Sequence, residues 1–329
     1  YDTAIARYLS DELFPEHMTL ALEKAYGLRY GENPRQKACF YSMQDVKSRD
    51  RGLGALVHHS GPEISFNNLL DFDSALNTLV GFTRPTVAVL KHTHPCGLAS
   101  RESLAEAYRL AFSGDPAAAF GGVVASNRPI DAETAEEINK THYDAVIAPS
   151  YAPESLALLS QKKSLRLVSV PFPEVEDEGL EFRNVRGGFL VQTRDVVGSD
   201  ELAPKVVSKR QPSTQELDDL LFAWRAVKAI KSNAIVIARD SVLLGMGAGQ
   251  PSRVESVSIA LKKAGEKANG AVLASDAFFP FTDGPELALQ AGIVAMIEPG
   301  GSVKDSEVVE AVDRHGAAMV FTGSRHFRH

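Results

Sequence analysis

The chain has 329 residues, of which 44% are hydrophobic and 23% charged, and its formal net charge is −7. This length suffices for two units that each bury a core, and no apolar run reaches the ~18–20 residues that a membrane span requires. The acidic balance argues against a general nucleic-acid-binding surface, and two cysteines argue against a disulfide framework and predict a reducing, cytoplasmic setting.

Apolar periodicity predicts helix over the first 26 residues, in two stretches, of which the second runs from Met18 to Lys24. Because the chain begins at Tyr1 without a methionine, we expect a fragment or a processed product. The polar segment that follows carries Arg29 and Arg35, which are suited to a carboxylate or a phosphate. Most arginines are solvated, so these two indicate a ligand only weakly.

A helix is predicted from about residue 65 to residue 80, after a strand at 37–43. Asn68 lies near the start of this helix. An asparagine at such a position reads an amide of a ligand or, more commonly, caps the helix.

The segment LKHTHPCG (90–97) carries the densest group of titratable side chains. An apolar, β-branched run at 85–90 predicts a buried strand, which Lys91, His92 and His94 follow. The proline after His94 disfavours helical dihedrals there, so we expect a bend into a helix with Ser100 as its N-cap. Titratable groups at the end of a buried strand favour a ligand site over a merely solvated turn.

Two glycine-bearing segments are open to more than one interpretation. Gly121 and Gly122 precede a predicted strand, where they permit close approach of a ligand or form a bulge. The loop GMGAGQ (245–250), with Arg253, offers backbone N–H groups to an anion or is a tight turn. Its spacing is neither that of a Walker motif nor that of a Rossmann motif.

The remaining chain alternates predicted helices with predicted strands. The helices are near 134–140, 154–162 and 216–232, and the strands near 123–126, 144–149, 165–170, 234–238 and 317–321, with a hairpin at 185–193 and an acidic connector at 171–180. VVASNRPID and VLASDAFFPFTD begin at 123 and 272, and DAVIAP and VAMIEP end at 149 and 299. These offsets of 149 and 150 residues predict a duplicated α/β unit with a site between two similar lobes.

Eight blocks of the sequence, in order, resemble the transformylase domain of the bifunctional AICAR formyltransferase/IMP cyclohydrolase family. They are LRYGENPRQ (28–36), LKHTHPCG (90–97), DPAAAFGG (115–122), DAVIAP (144–149), KSNAIVIA (231–238), GMGAGQPSR (245–253), SDAFFPFTD (275–283) and RHFRH (325–329). The resemblance implies an α/β fold of duplicated cytidine-deaminase-like units in three α/β/α layers. It places these units at 28–195 and 196–329, after a helical linker (1–27) from a cyclohydrolase domain that is absent here.

The resemblance also implies an activity. A formyl group would pass from the co-substrate 10-formyltetrahydrofolate to the 5-amino group of AICAR, giving FAICAR and tetrahydrofolate in purine (IMP) biosynthesis, without a catalytic metal. By position, His92 matches the proton acceptor, Lys91 a transition-state stabiliser and Asn233 the residue that polarises the formyl group. The nucleotide-site matches are Arg29, Tyr30, Asn68, Gly121, Asp144, Arg253, Phe278 and Arg325. The folate-site matches are Val254, Asp283, Ser302 and Val303. The family further implies a homodimer that shares its active sites.

The residue types suit this chemistry. The AICAR amine is a poor nucleophile and must lose a proton as it attacks, and an imidazole with a pKa near ~6.5 is a suitable base for this. A lysine cation and an asparagine amide suit the oxyanion of the tetrahedral intermediate. His94 stands where relatives tend to carry Asn, so its role is open.

Two other functions are considered. The run His94-Pro95-Cys96 is similar to part of the zinc-dependent nucleobase deaminase signature, but that signature needs a second cysteine where Ala99 stands, and the other cysteine is Cys39. A non-catalytic ligand-binding or assembly module is the other alternative. Metal content would separate the first from formyl transfer, and an activity assay would separate the second.

Overall fold

The computed structural model describes residues 12–43, 52–172 and 179–329. Residues 1–11, which hold most of the first predicted helical stretch, and residues 173–178 of the acidic connector therefore lie outside the described residues. The helix predicted from Met18 to Lys24 is wrong, because residues 12–21 contain neither helix nor strand and a strand begins at Leu22. That strand pairs antiparallel with the strand predicted at 37–43. Pairing of the two strands therefore overrides the helical spacing of the apolar residues in this segment.

The strands of the described residues follow the chain in this order: β1 Leu22–Leu28, β2 Ala38–Met43, β3 Val57–Ser60, β4 Thr86–Lys91, β5 His94–Ser100, β6 Val123–Ser126, β7 Ala145–Ala148, β8 Arg166–Ser169, β9 Leu180–Val185, β10 Gly188–Thr193, β11 Lys205–Val206, β12 Ile235–Arg239, β13 Val242–Gly247, β14 Val272–Ser275, β15 Ala295–Glu298 and β16 Ala318–Phe321.

The α-helices are α1 Phe66–Leu79, α2 Leu104–Phe112, α3 Pro116–Ala119, α4 Ala132–Asn139, α5 Pro153–Leu159, α6 Thr214–Lys228, α7 Arg253–Ala264, α8 Asp283–Gln290 and α9 Asp305–Arg314. Short 3-10 helices lie at Gly52–Ala55, Ser199–Leu202 and Gly265–Ala268. Among the described helices, none is long and apolar enough to cross a membrane.

Twelve strands form one sheet in the order β11-β16-β15-β14-β12-β13-β5-β4-β6-β7-β8-β3. We call β3–β8 the first half and β11–β16 the second half. The halves meet at a seam where β5 and β13 pair antiparallel through Ala99 and Val242, and the Ser100 N–H donates to the Ser241 carbonyl at 3.0 Å.

Outward from the seam, both halves repeat one arrangement of strands. Each has an antiparallel hairpin (β4–β5 or β12–β13), then three mutually parallel strands, then a short antiparallel edge strand. Strands β6 and β14 occupy equivalent places, as do β7 and β15, which is the arrangement that the repeated offset predicts. Duplication of one unit, and the unit boundaries at 195 and 196, stay predictions.

Helices cover both faces of this sheet. Within β4, Val87 and Val89 pack into a cluster with α2, α4 and α5, while Ala88 and Leu90 pack against α1 on the other face. In the second half α7, α8 and α9 cover one face and α6 the other. The fold is therefore α/β in three layers, as predicted.

The segment after β4 is a β-hairpin, so the predicted bend from strand into helix is wrong. His92 and Thr93 form its two-residue turn, with φ of 51° and 65°, and β5 continues through the proline. The pairing shifts register between Val89 and Leu90, and proline is tolerated in a strand at such an irregularity.

The predicted N-cap at Ser100 is also wrong, because Ser100 lies in β5. The next helix begins at Leu104, and Ser103 caps it by accepting the Glu106 N–H at 3.3 Å. Leu104, Ala107, Tyr108 and Ala111, which recur at helical spacing in the sequence, are buried in this helix.

The first three residues of the predicted glycine loop at 245–250 belong to strand β13, which ends at Gly247. A Cβ at Gly245 would lie 2.3 Å from the Ala260 carbonyl oxygen, and one at Gly247 would lie 2.0 Å from that of Ser256. These glycines therefore let α7 lie directly on β13, and their N–H groups belong to a strand rather than to an anion-binding loop. A positive φ, of 66°, occurs in this segment at Gly249.

Two antiparallel ribbons stand outside the large sheet, β1–β2 and β9–β10. The second confirms the predicted hairpin around Gly187, although it begins earlier, at Leu180. Both ribbons expose large apolar side chains, including Leu22, Tyr41, Phe189 and Leu190.

Candidate active site

The predicted site residues gather at one edge of the sheet, which we call the site edge. It consists of the β4–β5 turn, the starts of β6, β7, β8 and β12, and the ends of β13, β14, β15 and β16. The register shows this: Leu90 pairs with Val123, and Ile235 pairs with both Gly247 and Ser275. The site edge thus combines the turn of one half with the carboxyl ends of strands from the other.

At the centre of the site edge, α1 holds the β4–β5 turn. The Asp71 carboxylate accepts the Thr93 N–H at 2.8 Å, and the Ser74 hydroxyl donates to the Thr93 carbonyl at 2.5 Å. Two residues with positive φ match the twist of a tight hairpin, and these contacts fix them in place. The exposed His92 imidazole therefore projects from a defined backbone.

Lys91 lies beside His92 and over the segment before β6. Its ammonium donates to the carbonyl oxygens of Phe120 at 3.1 Å and Gly121 at 2.8 Å. Gly121 has a φ of 66°, and a Cβ there would lie 3.2 Å from the ammonium nitrogen. The Gly121 backbone thus positions the Lys91 charge. Asp144, at the start of β7, is exposed on the same edge.

Asp71 was not predicted as a site residue, although it ends the run SFNNLLD. Burial raises the pKa of this carboxyl, and the Thr93 N–H, His92 and Lys91 oppose the rise, whereas Asp144 adds to it. Its link to the turn is a tertiary contact between α1 and Thr93, for which the sequence carries no local signal.

His94 faces the seam between the halves. Burial lowers the pKa of its half-buried ring, and the charges of Lys231, Arg328 and His92 lower it further. The ring is therefore neutral at pH 7, and its buried Nδ1 has no hydrogen-bond partner among the described residues. His94, a residue of the first half, thus lies close to Lys231 and Arg328, which follow strands and helices of the second half.

Asn233, just before β12, is enclosed by hydrogen bonds. Its amide nitrogen donates to the carbonyls of Gln250 at 2.8 Å and Pro251 at 3.2 Å, and its oxygen accepts from Arg253 at 2.7 Å. Arg253 is buried and also pairs with the fully buried Asp276. The Arg253 fork is therefore engaged within the protein rather than open to a phosphate, and Asp276, which was not predicted, balances its charge.

A groove of about 300 Å³ lies beside Asn233 and is partly walled by the C-terminal segment. Its lining residues are Ser232, Asn233, Gly249, Gln250, Pro251, Phe327 and His329. The segment 322–329 packs on the body: the His326 N–H donates to the Asp276 carbonyl at 2.9 Å, and Ser232 and Arg328 exchange two hydrogen bonds. The exposed Arg325 places its guanidinium 4.7 Å from the centre of the Phe327 ring.

The predicted folate-site residues occupy three neighbouring segments of the second half. Val254 lies in the first turn of α7, and Asp283 begins α8, where its carboxylate accepts the Gly284 N–H at 2.7 Å. Ser302 and Val303 lie between β15 and α9, and Val303 is 97% exposed. Phe278 precedes α8 and is half-buried.

Arg29 and Tyr30 line a different pocket, of about 220 Å³, close to the start of β8. Glu63, Ser65 and Arg166 share that pocket. Asn68, whose role was left open, forms a capping box with Ser65: its side-chain oxygen accepts the Ser65 N–H at 3.0 Å and the Ser65 hydroxyl at 2.8 Å. The capping interpretation of Asn68 is therefore the one that the structure shows.

Comparison with known proteins bears on this arrangement. The family described as the AICARFT/IMPCHase bienzyme matches residues 1–263. This chain belongs to that family. The bifunctional purine biosynthesis protein PurH of Sorangium cellulosum (strain So ce56) is 48% identical over 343 residues, which cover 100% of this chain and 66% of the relative. PurH of Bacillus cereus (strain B4264) is 45% identical over 332 residues, covering 100% of this chain and 65% of the relative.

Within the AICARFT/IMPCHase family, this chain spans slightly less than two thirds of the length of the curated relatives it matches. Among solved structures, Acinetobacter baumannii RibD, form 2, aligns with 32% of this chain and 33% of its own, at 20% identity and a TM-score of 0.23. A likeness of that extent supports no conclusion about this chain.

Proposed function

We propose that this chain catalyses formyl transfer from 10-formyltetrahydrofolate to the 5-amino group of AICAR, giving FAICAR and tetrahydrofolate. The observation that supports it most is the convergence of Lys91, His92 and Asn233 on one edge of the sheet from two separate halves of the chain. Membership in the family supports the same reaction.

His92 is proposed as the general base. The AICAR amine is conjugated with the ring, so it becomes nucleophilic only as it loses a proton, and the exposure of the His92 imidazole supports its proposed role as the acceptor of that proton. The contacts of Asp71 and Ser74 to Thr93 hold the turn in place, and the imidazole that projects from the turn is held with it. This is the preorganisation that proton transfer needs.

Lys91 and Asn233 are proposed to stabilise the oxyanion that forms when the amine attacks the formyl carbon. A lysine ammonium has three N–H donors, and two carbonyls engage two of them, so one remains for an oxyanion. Both amide hydrogens of Asn233 are engaged. Asn233 therefore donates to a ligand only by releasing a carbonyl, and the longer contact, to Pro251, is the one we expect to be exchanged.

The nucleotide is proposed to bind along the site edge through Arg29, Tyr30, Gly121, Asp144, Phe278 and Arg325, and the folate through Val254, Asp283, Ser302 and Val303. Because Asn68 and Arg253 are engaged within the protein, we propose that they shape this site from beneath. The cytoplasmic setting, the homodimer with shared sites and the cyclohydrolase domain of the whole protein belong to the same proposal.

The zinc-deaminase alternative loses support at Cys96. Its thiol donates to the Val89 carbonyl at 3.3 Å, and among the described residues no group of three or more His, Cys, Asp and Glu side chains is arranged to hold a metal ion. The curated relatives do not favour this alternative either.

The test is the release of tetrahydrofolate by the purified chain, followed with both AICAR and 10-formyltetrahydrofolate present and with each omitted in turn. We expect release that depends on both compounds. A folded chain that binds both but releases no tetrahydrofolate would identify the non-catalytic module instead.

A further inference from the structure

Glu298, the last residue of β15, is a fully buried carboxyl group that the proposed chemistry does not use. Its Oε2 accepts the Phe279 N–H at 2.8 Å. Its Oε1 is buried and has no hydrogen-bond partner among the described residues. An ionised carboxylate needs several donors when it is removed from water, and this one has a single backbone N–H.

The charges around Glu298 also favour its neutral form. Burial raises the pKa of Glu298 to about 8; Asp305 adds to the rise, while the Phe279 N–H and Arg253 oppose it. Asp305, at the start of α9, and Arg253, at the start of α7, are the charged groups that face it from the described elements. The Arg253 charge is already paired with Asp276, so it offsets the burial of Glu298 only in part.

The contact to Phe279 fixes the loop between β14 and α8. The Phe279 ring is buried, and a Cβ at Gly284 would lie only 2.9 Å from it. The close packing of this ring against α8 therefore holds the loop as well. Phe278 precedes this anchor, and Asp283 follows it at the start of α8. The Glu298 hydrogen bond therefore sets the position of one proposed nucleotide residue and one proposed folate residue.

Glu298 lies next to the other proposed folate segment as well. The neighbouring Asp305 carboxylate accepts the N–H groups of Gly301 at 2.7 Å and Ser302 at 3.0 Å. The Glu298 carbonyl accepts the Thr322 N–H at 3.0 Å, where the C-terminal segment begins. Two adjacent acids thus organise the two loops, and a charge on Glu298 would place a second anion beside Asp305.

We propose that Glu298 is a positioning residue which, in its protonated form, holds the β14–α8 loop closed for ligand binding, and that its ionisation favours opening of this loop, because an open loop exposes the carboxylate to water. The ligand part rests on the proposed function. The loop part does not, because it follows from burial and hydrogen bonding in the protein alone.

Glu298→Gln is the deciding variant, because the amide oxygen retains the contact to Phe279 and the side chain cannot ionise. Glu310→Gln makes the same chemical change at an exposed position of α9 and serves as the control. Glu298→Ala removes the contact at every pH. The first readout is amide hydrogen exchange of residues 277–283 between pH 6 and pH 10, corrected for intrinsic exchange, which requires no ligand.

In the wild-type chain and in Glu310→Gln, we expect protection of this loop to fall as the pH rises from 6 to about 8, by up to about tenfold per pH unit, and to level off above pH ~8, where Glu298 is ionised in the closed loop as well. In Glu298→Gln, protection should be independent of pH, and in Glu298→Ala it should be low throughout. Equal pH dependence in the wild type and Glu298→Gln would overturn the proposal, as would full protection in Glu298→Ala.

The second readout is the pH profile of formyl transfer. The KM for the folate should rise between pH 6 and about pH 8 and level off above it in the wild type, but it should not change in this way in Glu298→Gln, and kcat should change little. If the chain has no transferase activity, the proposed function fails while hydrogen exchange still decides the role of Glu298. If exchange follows the expectation but the two KM profiles coincide, the loop is held by Glu298 without serving the ligand, and the ligand part is overturned.

Discussion

At the residue scale, His92 combines an exposed imidazole with a backbone that is held from α1. Asp71 binds the Thr93 N–H and Ser74 the Thr93 carbonyl, so substitution of the His92 side chain leaves these contacts in place. The function of the imidazole is therefore separable by mutation from the structure of the turn.

We expect His92→Ala to lower kcat by about 10²–10⁴-fold, the usual contribution of general-base catalysis, with little change in the Kd for AICAR. Steady-state turnover and calorimetric AICAR binding would measure the two quantities. His315→Ala is the matched control, since His315 lies at the C-terminus of α9, where its ring contacts the Ala311 carbonyl. Turnover of His92→Ala near the wild-type rate would refute the assignment of the base.

The sequence was informative about the residues of this site and less so about their backbone. The run of Lys91, His92 and His94 after an apolar strand correctly indicated the end of β4, but the hairpin was missed. A His-Thr turn with two positive φ values lacks the Asn-Gly pattern of such turns, and the proline in β5 argued against a strand. Both are stabilised by tertiary contacts, which local patterns do not encode.

At the scale of elements, the packing of α7 on β13 depends on Gly247. Any Cβ there would lie 2.0 Å from the Ser256 carbonyl oxygen and 2.6 Å from its carbon, so the helix has to move away from the strand. From the sequence, the glycines of this segment are compatible with an anion-binding loop or with a tight turn. Glycine spacing alone does not distinguish a flexible segment from close packing of a helix on a strand.

We expect Gly247→Ala to lower the free energy of unfolding by roughly 1–3 kcal/mol, as overpacking in a dense core does. Urea denaturation would measure it. Gly198→Ala is the control, because a Cβ at Gly198 meets no atom within 4 Å. If the two variants had the same free energy of unfolding, α7 would be able to move away from β13 without loss of stability.

The C-terminal segment is held by a buried histidine between two acids. His326 contacts Asp195 at 2.7 Å through Nδ1 and Glu201 at 3.1 Å through Nε2. Burial disfavours the charged ring, but the two carboxylates outweigh it and raise the His326 pKa to about 9. The charged imidazole thus attaches the segment that carries Arg325 to the body of the protein.

This raised pKa makes stability dependent on pH. The stabilisation from His326 is complete below its ordinary pKa of 6.5 and is lost as the pH rises through about 9. At about 1.4 kcal/mol per pKa unit it amounts to about 3.5 kcal/mol at most, and less because Asp195 is half exposed to water.

In His326→Gln we therefore expect the decrease in Tm between pH 6.5 and pH 9 to be smaller than in the wild type. His142→Gln, an exposed position, should retain the full decrease. If Tm fell more steeply between pH 6.5 and pH 9 in His326→Gln than in His142→Gln, the His326 pKa would not be raised.

At the scale of the whole molecule, the two halves are joined through more than the seam. Phe82 of the first half meets Phe222 of the second edge-on at 5.6 Å, and Lys263 pairs with Asp115 at 2.5 Å. On the face covered by α1 and α6, a single cluster of buried side chains runs through both halves, from Phe72 to Trp224 and Ile297.

That shared cluster determines how the protein melts. If each half had a closed core of its own, calorimetry would resolve two heat-absorption peaks. Because Phe72 and Trp224 belong to one apolar cluster, separation of the halves would expose it on both sides, and neither half has a core on this face without the other. We expect one peak whose calorimetric enthalpy equals its van't Hoff enthalpy. Two resolved peaks would contradict this expectation, whereas a single cooperative transition means that heat disrupts the site edge and both halves at the same temperature.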